Sequence, residues 1–545
     1  MSSIVGLGAR LSSTSGLDLT RSAPSRMPRC LAWIAAAGIS SSILVMIGAS
    51  LLRSSWMAPP LVLPTSGPPW EIQSVHVRVV VVTVALWLAA ILGGAGVAAG
   101  LAAVRGGVRV SARYLLVSGL LVVAVLTVLP PVGSSDALDY AAYGRMVVLG
   151  HSPYVMTPFQ LRFLHDPLSR SVPAEWDHQV TLYGPLATIE QFLAAVLGGT
   201  SAARIVFWLK LCNAVAFGAV ALAMHRVLRS DPAARLRAHL LWTINPLLLW
   251  GLIAAGHLDV LAAAAGVLGL LMLGAGPAAG LTFAGRQAMS PGPLRAAMAG
   301  IAIGIAADIK IFYVLFGLGL AWALRRCPRA LAAAVAGALA VLAPTYIWFG
   351  PPAIKALLAR RDVTTVDNFY QLFSGAHGYV QLHVVLVAGL VVGCLAVLTL
   401  RRLPANVPGS PAIRAALALS VSWLLVWPYQ LPWYDAMIVC VLVLYPASRL
   451  DWLVLARLTM GTIALMPGNA SPPPGHLLAT LARVSQVTVA PVVLLGVAVG
   501  LVVLCLTGRW NLHLADDQRA AARLRRVQRA ASTSSKPNSS NPVRT

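Results

Sequence analysis

The sequence predicts an all-α polytopic membrane protein, and three observations carry that prediction. Of the 545 residues, 58% are hydrophobic and 11% charged, with a mean hydropathy of +0.78; a soluble domain carries roughly 25% charged residues. Apolar runs near bilayer-crossing length recur along most of the chain. The 41 basic residues sit mainly in short stretches between those runs and at the two ends, where they act as topology signals. The net charge of +24 therefore implies attraction to anionic headgroups and no nucleic-acid partner.

Taken in order, residues 1–29 are polar, basic and Ser-rich and are expected to be disordered and cytosolic. Apolar runs follow at 30–52, 76–104, 113–133, 203–225, 238–254, 258–275, 295–309, 311–324, 330–349, 379–400, 411–427, 433–449, 452–466 and 480–506. The first exceeds the ~7–15 residues of a signal-peptide core and reads as a retained helix. Several fall short of the ~20 residues of an ideal span, so broken or re-entrant pairs are expected. Orientation follows from Arg. With Arg10, Arg21, Arg26 and Arg29 inside, the inside loops hold Arg105, Arg109 and Arg113; Arg226, Arg229, Arg235 and Arg237; Arg286; Arg325, Arg326 and Arg329; Arg401 and Arg402; and Arg449. This requires that 186–199, which contains Glu190 and Gln191, lie at the interface without crossing. The result is a bundle of about 14 transmembrane helices over 30–506, with a basic cytosolic tail at 507–545 and a long outer loop at 134–202.

Acids then divide unevenly. Asp18, Asp231, Asp451, Asp516 and Asp517 fall inside, and the rest, from Glu71 to Asp435, fall outside or at outer helix ends. Positive-inside sorting does not require this, so the outer face is the expected chemical face. The six cysteines (Cys30, Cys212, Cys327, Cys394, Cys440 and Cys505) show no metal-ligand spacing and read as small apolar residues.

The outer loop opens with "SSDALDYAAYGRMVVLGHSPYVMTP". A helix from Ser135 puts Asp136, Asp139, Tyr140 and Tyr143 on one face. Carboxylates beside phenols at a span's end can hold a hydroxylated substrate and take its proton; a capping Ser and Asp followed by an interfacial aromatic belt gives the same spacing. Further along, His165, Asp166, Glu175, Trp176, Asp177 and His178 place histidines near acids. That admits a divalent metal without a tight ligand spacing to specify one. "GHLD" puts His257 and Asp259 at an outer hairpin, as a functional pair or a turn cap. "IAADIKIF" puts Asp308 and Lys310 at a break between short spans; Lys310 is either the partner of Asp308 or a phosphate contact at headgroup depth. The stretch 350–378, with Lys355, Arg360, Arg361, Asp367, Asn368 and Tyr370, reads equally as a solvated loop or as an acceptor or phosphate site. "WPYQLPWYDA" carries Trp433 and Tyr434, as belt anchors or a sugar-stacking platform.

Ser135-Asp136, Tyr140, Gly144-Arg145, Gly150, Pro153-Tyr154, Pro158 and Tyr183-Gly184-Pro185, in that order, resemble the first outer loop of the family-C (GT-C) glycosyltransferases. The likeness is strongest to the actinobacterial polyprenyl-phosphomannose-dependent mannosyltransferases that build the α-1,6-mannan of lipomannan, and it runs from about 134 to 435, with "AAGHLD" and "LPWY" in comparable places. The resemblance implies a multi-span plasma-membrane enzyme that uses a polyprenyl-phosphate sugar donor and a glycan or glycolipid acceptor on the outer face, with inversion at the anomeric carbon. By position it implies Asp136 as the acid that activates the acceptor. Asp139 falls where the family has a smaller polar residue. Asp139, Tyr140, Tyr143, Arg145, Tyr154, Tyr183, His257, Asp259, Lys310, Trp433 and Tyr434 are the expected substrate-binding groups, with Asp139 expected to orient the acceptor. Where relatives read "GHND", this chain has Leu258, which departs from the pattern. No Gly-rich nucleotide signature offers another donor site. A transporter or flippase of lipid-linked saccharides is the alternative class, since broken short helices suit it too; it would place its key charges near the bilayer middle. A polymerase or ligase of preassembled lipid-linked glycans needs the same outer face.

Overall fold

A computed structural model describes residues 26–51, 77–172, 176–274, 292–358, 364–374, 382–403, 411–465 and 475–510. Among them the chain is helical and forms no strand. In order, the helices are α1 (Arg26–Ser50), α2 (Val79–Arg105), α3 (Ala112–Val128), α4 (Asp136–Val148), α5 (Pro185–Gly198), α6 (Ala202–Val227), α7 (Pro232–Ala238), α8 (Pro246–Leu248), α9 (Asp259–Gly274), α10 (Pro293–Ile309), α11 (Val314–Leu324), α12 (Pro328–Phe349), α13 (Pro351–Leu358), α14 (Gln371–Ser374), α15 (Leu382–Arg402), α16 (Pro411–Val426), α17 (Asp435–Leu442), α18 (Leu450–Leu465), α19 (His476–Val484) and α20 (Ala490–Thr507). The expected positions Glu71, Glu175, Arg286, Arg360 and Arg361, and the tail from 511, lie outside the described residues.

Among the described residues, seven helical stretches are long and apolar enough to cross a membrane. The expectation of about 14 spans meets a more broken pattern, because many runs end early at Pro, Gly or a charge. The stretch Pro232–Ala254 contains π-helical turns at His239–Thr243 and Leu249–Ala254. The α10 run stops at Lys310, whose φ of −147° and ψ of 114° leave the helical region. The 186–199 segment forms α5, a 14-residue helix, shorter than the ~20 residues a crossing needs. The first helix starts at Arg26, within the segment expected to be disordered. Cys30, Cys212 and Cys394 are exposed on helix surfaces, whereas Cys440 and Cys505 are buried.

Packing follows membrane rules, where small residues let backbones approach. A Cβ at Gly300 of α10 would lie 1.9 Å from the Ala334 carbonyl of α12, so only glycine permits that contact. At one end of the bundle, charges from three elements converge. The buried Asp451 carboxylate accepts from Arg237 Nη2 at 2.5 Å and Nε at 2.7 Å, and Arg105 Nη2 lies 3.3 Å away. Arg237 also donates to the Tyr445 and Leu442 carbonyls, and Arg105 stacks on Trp452 at 4.5 Å. All three charged groups were expected inside. The start of α4, the start of α9, the end of α10 and the turn before α17 gather elsewhere, and they carry the second polar cluster.

Candidate functional site

The second cluster forms where helix ends meet. Helix α4 begins at Asp136. The expected cap was Ser135, but Ser135 makes no side-chain cap bond. Ser134 takes that place: its hydroxyl donates to Asp136 Oδ1 at 2.8 Å and accepts from the Asp136 N–H at 3.2 Å. Asp136 Oδ2 then faces His257 Nε2 at 3.4 Å and the Tyr140 hydroxyl, its donor, at 3.5 Å. Tyr140 and Tyr183 share a hydroxyl–hydroxyl bond of 2.9 Å, with their rings edge-on at 5.1 Å.

His257 is buried and held on two sides. Its Nδ1 lies 2.6 Å from the Gly251 carbonyl; a carbonyl only accepts, so Nδ1 carries hydrogen. Its ring stacks on Trp433 at 3.5 Å. Asn213 of α6 donates to the His257 carbonyl at 3.2 Å, fixing the backbone from below. Asp259 turns elsewhere: residues i and i+2 do not share a face, so the expected His257–Asp259 pair separates. Lys310 Nζ donates to both Asp259 oxygens at 2.7 Å. The same spacing separates Lys310 from Asp308 and corrects the reading that paired them. Lys310 lies over the Tyr434 ring at 4.0 Å and near the Tyr183 ring at 5.6 Å, an attraction of cation for π-face. The Trp433-Tyr434 turn thus gives one ring to each basic group, and both rings are buried. The turn is anchored from within the bundle: Arg457 pairs with Asp435 and donates to Gln430 Oε1 at 3.3 Å.

Exposure separates the acids. The Asp136 side chain retains 21% exposure, whereas Asp259 retains 2% and is closed by Lys310. Burial opposes charge on Asp136, but the facing His257 imidazole, the Ser134 hydrogen bond and the Lys310 charge hold its carboxyl below the usual range. Burial, reinforced by the nearby acids, pushes the Tyr140 and Tyr183 phenols well up, so both remain O–H donors.

Four expected residues lie outside this cluster. Asp139 is buried on α4. Tyr143 donates to the Gln179 carbonyl at 3.2 Å. Arg145 donates to Asp166 at 2.7 Å, and Tyr154 donates to the Tyr183 carbonyl at 3.0 Å. Tyr143 and Arg145 tie α4 to the stretch between α4 and α5, and Tyr154 holds that stretch together. Asp177 pairs with Arg162 at 3.0 Å. Among the described residues, no group of three or more His, Cys, Asp or Glu side chains is placed to hold a metal ion. In the 350–378 stretch, Asn368 is buried and donates to the Pro428 carbonyl at 2.8 Å, so that part is packed and not solvated. Gly251 and Asn213 carried no sequence signal, since a glycine and an asparagine in apolar surroundings are common; Ser134 stood in the quoted serine pair, of which Ser135 was expected to cap.

The cluster sets His257 against Asp136 and Lys310 against Asp259, with the Tyr140 and Tyr183 phenols beside them and Asp136 the more accessible carboxylate, which suits proton removal from a hydroxyl beside a bound anion. The N-terminal-domain family of alpha-(1->6)-mannopyranosyltransferases matches residues 35–326, more than half of the chain, and takes in Asp136, Tyr140, Tyr183, His257, Asp259 and Lys310. A protein described as a probable alpha-(1->6)-mannopyranosyltransferase from Mycolicibacterium smegmatis (strain ATCC 700084 / mc(2)155) is 32% identical over 150 residues. That similarity covers 27% of this chain and 26% of the relative, about a quarter of the relative's length. The chain belongs to the alpha-(1->6)-mannopyranosyltransferase family.

Proposed function

We propose that the protein transfers a mannosyl group from a polyprenyl-phosphate-linked donor to a hydroxyl of a cell-envelope glycan or glycolipid, on the outer face of the plasma membrane, in an α-1,6 linkage of the lipomannan type. One observation carries the reading: Asp136 is the accessible carboxylate of a buried, charge-balanced cluster at helix ends, within the part of the chain that matches the family. In the proposed step the acceptor hydroxyl loses its proton to Asp136 as its oxygen attacks the anomeric carbon. The bond from that carbon to the phosphate oxygen breaks, and its electron pair leaves with the polyprenyl phosphate. With Nδ1 already protonated, a second proton on Nε2 makes His257 the cation that keeps Asp136 ionised. Tyr140 and Tyr183 orient the acceptor, and Lys310 meets the phosphate with the N–H that Asp259 does not use. Supplying labelled polyprenyl-phosphomannose or a nucleotide mannose to purified protein tests the donor. Label should enter a mannoside acceptor from the lipid donor alone, and transfer from the nucleotide sugar would sink the reading.

The outer location is supported by the separation of the Arg105–Arg237–Asp451 group from the site. In a background without native cysteines, cysteine at exposed His178 should react with an impermeant reagent on intact cells. Cysteine at exposed Ser230 should react only after lysis. The reverse pattern would turn the site inward.

Lys310 allows a sharper division. If its charge only neutralises Asp259, the swap Lys310→Asp with Asp259→Lys restores transfer. A phosphate contact predicts that Lys310→Arg keeps part of the rate and the swap keeps none. Recovery in the swap removes the phosphate role.

A further inference from the structure

Asp308 is fully buried, yet the lysine two residues away does not neutralise it. Its two oxygens instead serve two other helices. Oδ1 accepts from the Leu186 N–H at 2.9 Å, and Oδ2 accepts from the Thr345 hydroxyl at 2.6 Å. Leu186 is in the first turn of α5, where backbone N–H groups lack helical partners and favour a carboxylate. Thr345 follows Pro344, the proline inside α12. The backbone adds to the junction: the Gly184 N–H donates to the Ile309 carbonyl at 3.4 Å. A Cβ at Gly184 would stand 1.5 Å from the Asp308 carbonyl oxygen, so no side chain fits there. Between Gly184 and the cluster stands Tyr183, whose carbonyl is also held by Tyr154, itself bonded to Thr188 at 3.0 Å.

We propose that Asp308 is a positioning residue: its carboxylate clamps the start of α5 to α10 and α12 and so holds the Tyr183 hydroxyl against Tyr140 beside Asp136. The inference rests on the proposed transferase site and deepens it. Asp308 touches no group of the cluster itself; it acts through Tyr183. The same short stretch of α10 and its end therefore carries two separate functions, with Asp308 fixing a phenol and Lys310 facing Asp259.

A mutant cycle in the full-length protein, reconstituted with polyprenyl-phosphomannose and a mannoside acceptor, tests this. A misplacement of about 1 Å can cost up to 10²-fold in rate, so Asp308→Ala should lower kcat by roughly 10- to 10²-fold, with little change in the donor KM. Asp308→Asn should retain most of the rate, because its oxygen can still accept from Leu186 and its amide can donate to Thr345. In a Tyr183→Phe background, Asp308→Ala should cost little more. Should Asp308→Ala fail to fold, Thr345→Val removes one clamp bond alone; it predicts a smaller loss, likewise absorbed by Tyr183→Phe. Additive losses, an unaffected rate in Tyr183→Phe, or Asp308→Asn as damaging as Asp308→Ala would overturn the clamp. These outcomes are separate from the fate of the site: full activity in Asp136→Asn would remove Asp136 as the base, and no mannoside formed by the unaltered protein would remove the transferase reading, whatever Asp308 does.

Discussion

Asp136→Asn is expected to slow transfer by about 10²–10⁴-fold, the usual worth of a general base, while donor binding and membrane insertion persist. Asparagine keeps the size of the side chain and can still bond Ser134 and Tyr140, but it cannot take the proton. The other acids are poorly placed to substitute. Asp259 is saturated by Lys310, and Asp177 is buried against Arg162. Asp139→Asn should cost less, because its side chain lies buried on α4, outside the cluster. A helix cap contributes about 1 kcal/mol, and Asn replaces Asp well in that role. An Asn variant at full rate would therefore mean that Asp136 serves only the start of α4 and that the base lies elsewhere. The acid limb of the rate carries a second signature. Asp136 has a lowered pKa, so the base stays ionised until pH falls below the ordinary carboxylate range, and activity is lost only there. Replacing His257 with Phe removes the imidazole that faces Asp136 and helps produce the lowering, so the limb should move to higher pH. The sign for stability is the same: the contribution of ionised Asp136 is present above its unfolded value and lost as pH falls through its folded one.

Arg237→Met should produce the largest loss of stability. Its guanidinium is 2% exposed and binds both oxygens of Asp451, whose side chain is 0% exposed. Removing one partner of a buried pair leaves the other charge stranded, at a cost of about 3–5 kcal/mol. The remaining Arg105 contact, at 3.3 Å and partly exposed, offsets little of this. A large drop in the thermal midpoint of detergent-purified protein is expected, with substantial recovery when Asp451→Leu is added, since an apolar pair leaves no stranded charge. An unchanged midpoint for Arg237→Met would show that the three-charge group contributes nothing. Because this group lies apart from the cluster, the surviving folded fraction should keep its transfer rate per molecule.

Local features of the site were legible in the sequence, and long-range ones were not. The spacing of Asp136 and Tyr140 predicted a shared helix face, and in α4 both turn to one cluster. The period alone cannot say where that face ends: Tyr143 continues to the Gln179 carbonyl, and Asp139 lies in the packing. Short-range pairing rules misled at both charged doublets. His257 with Asp259, and Asp308 with Lys310, look like partners on paper. At an i, i+2 spacing their side chains diverge, and the real couples are His257 with Asp136 and Lys310 with Asp259, the second pair 51 residues apart and the first farther still. Only the fold brings those together. The aromatic turn was visible as a cluster of Trp and Tyr, but its rings cover His257 and Lys310 and so are not free platforms. The helical class was read from hydropathy, and the count of spans was not. Hydropathy cannot see the π-helical turns of Pro232–Ala254 or the break at Lys310.

The most direct test follows donor and product together in liposomes containing only this protein, polyprenyl-phosphomannose and a mannoside acceptor. One polyprenyl phosphate should appear for each mannoside formed, the new linkage should be α-1,6, and both should vanish with Asp136→Asn. Movement of intact donor from one leaflet to the other, with no polyprenyl phosphate released and no mannoside formed, would contradict the account and make the protein a carrier of lipid-linked sugar.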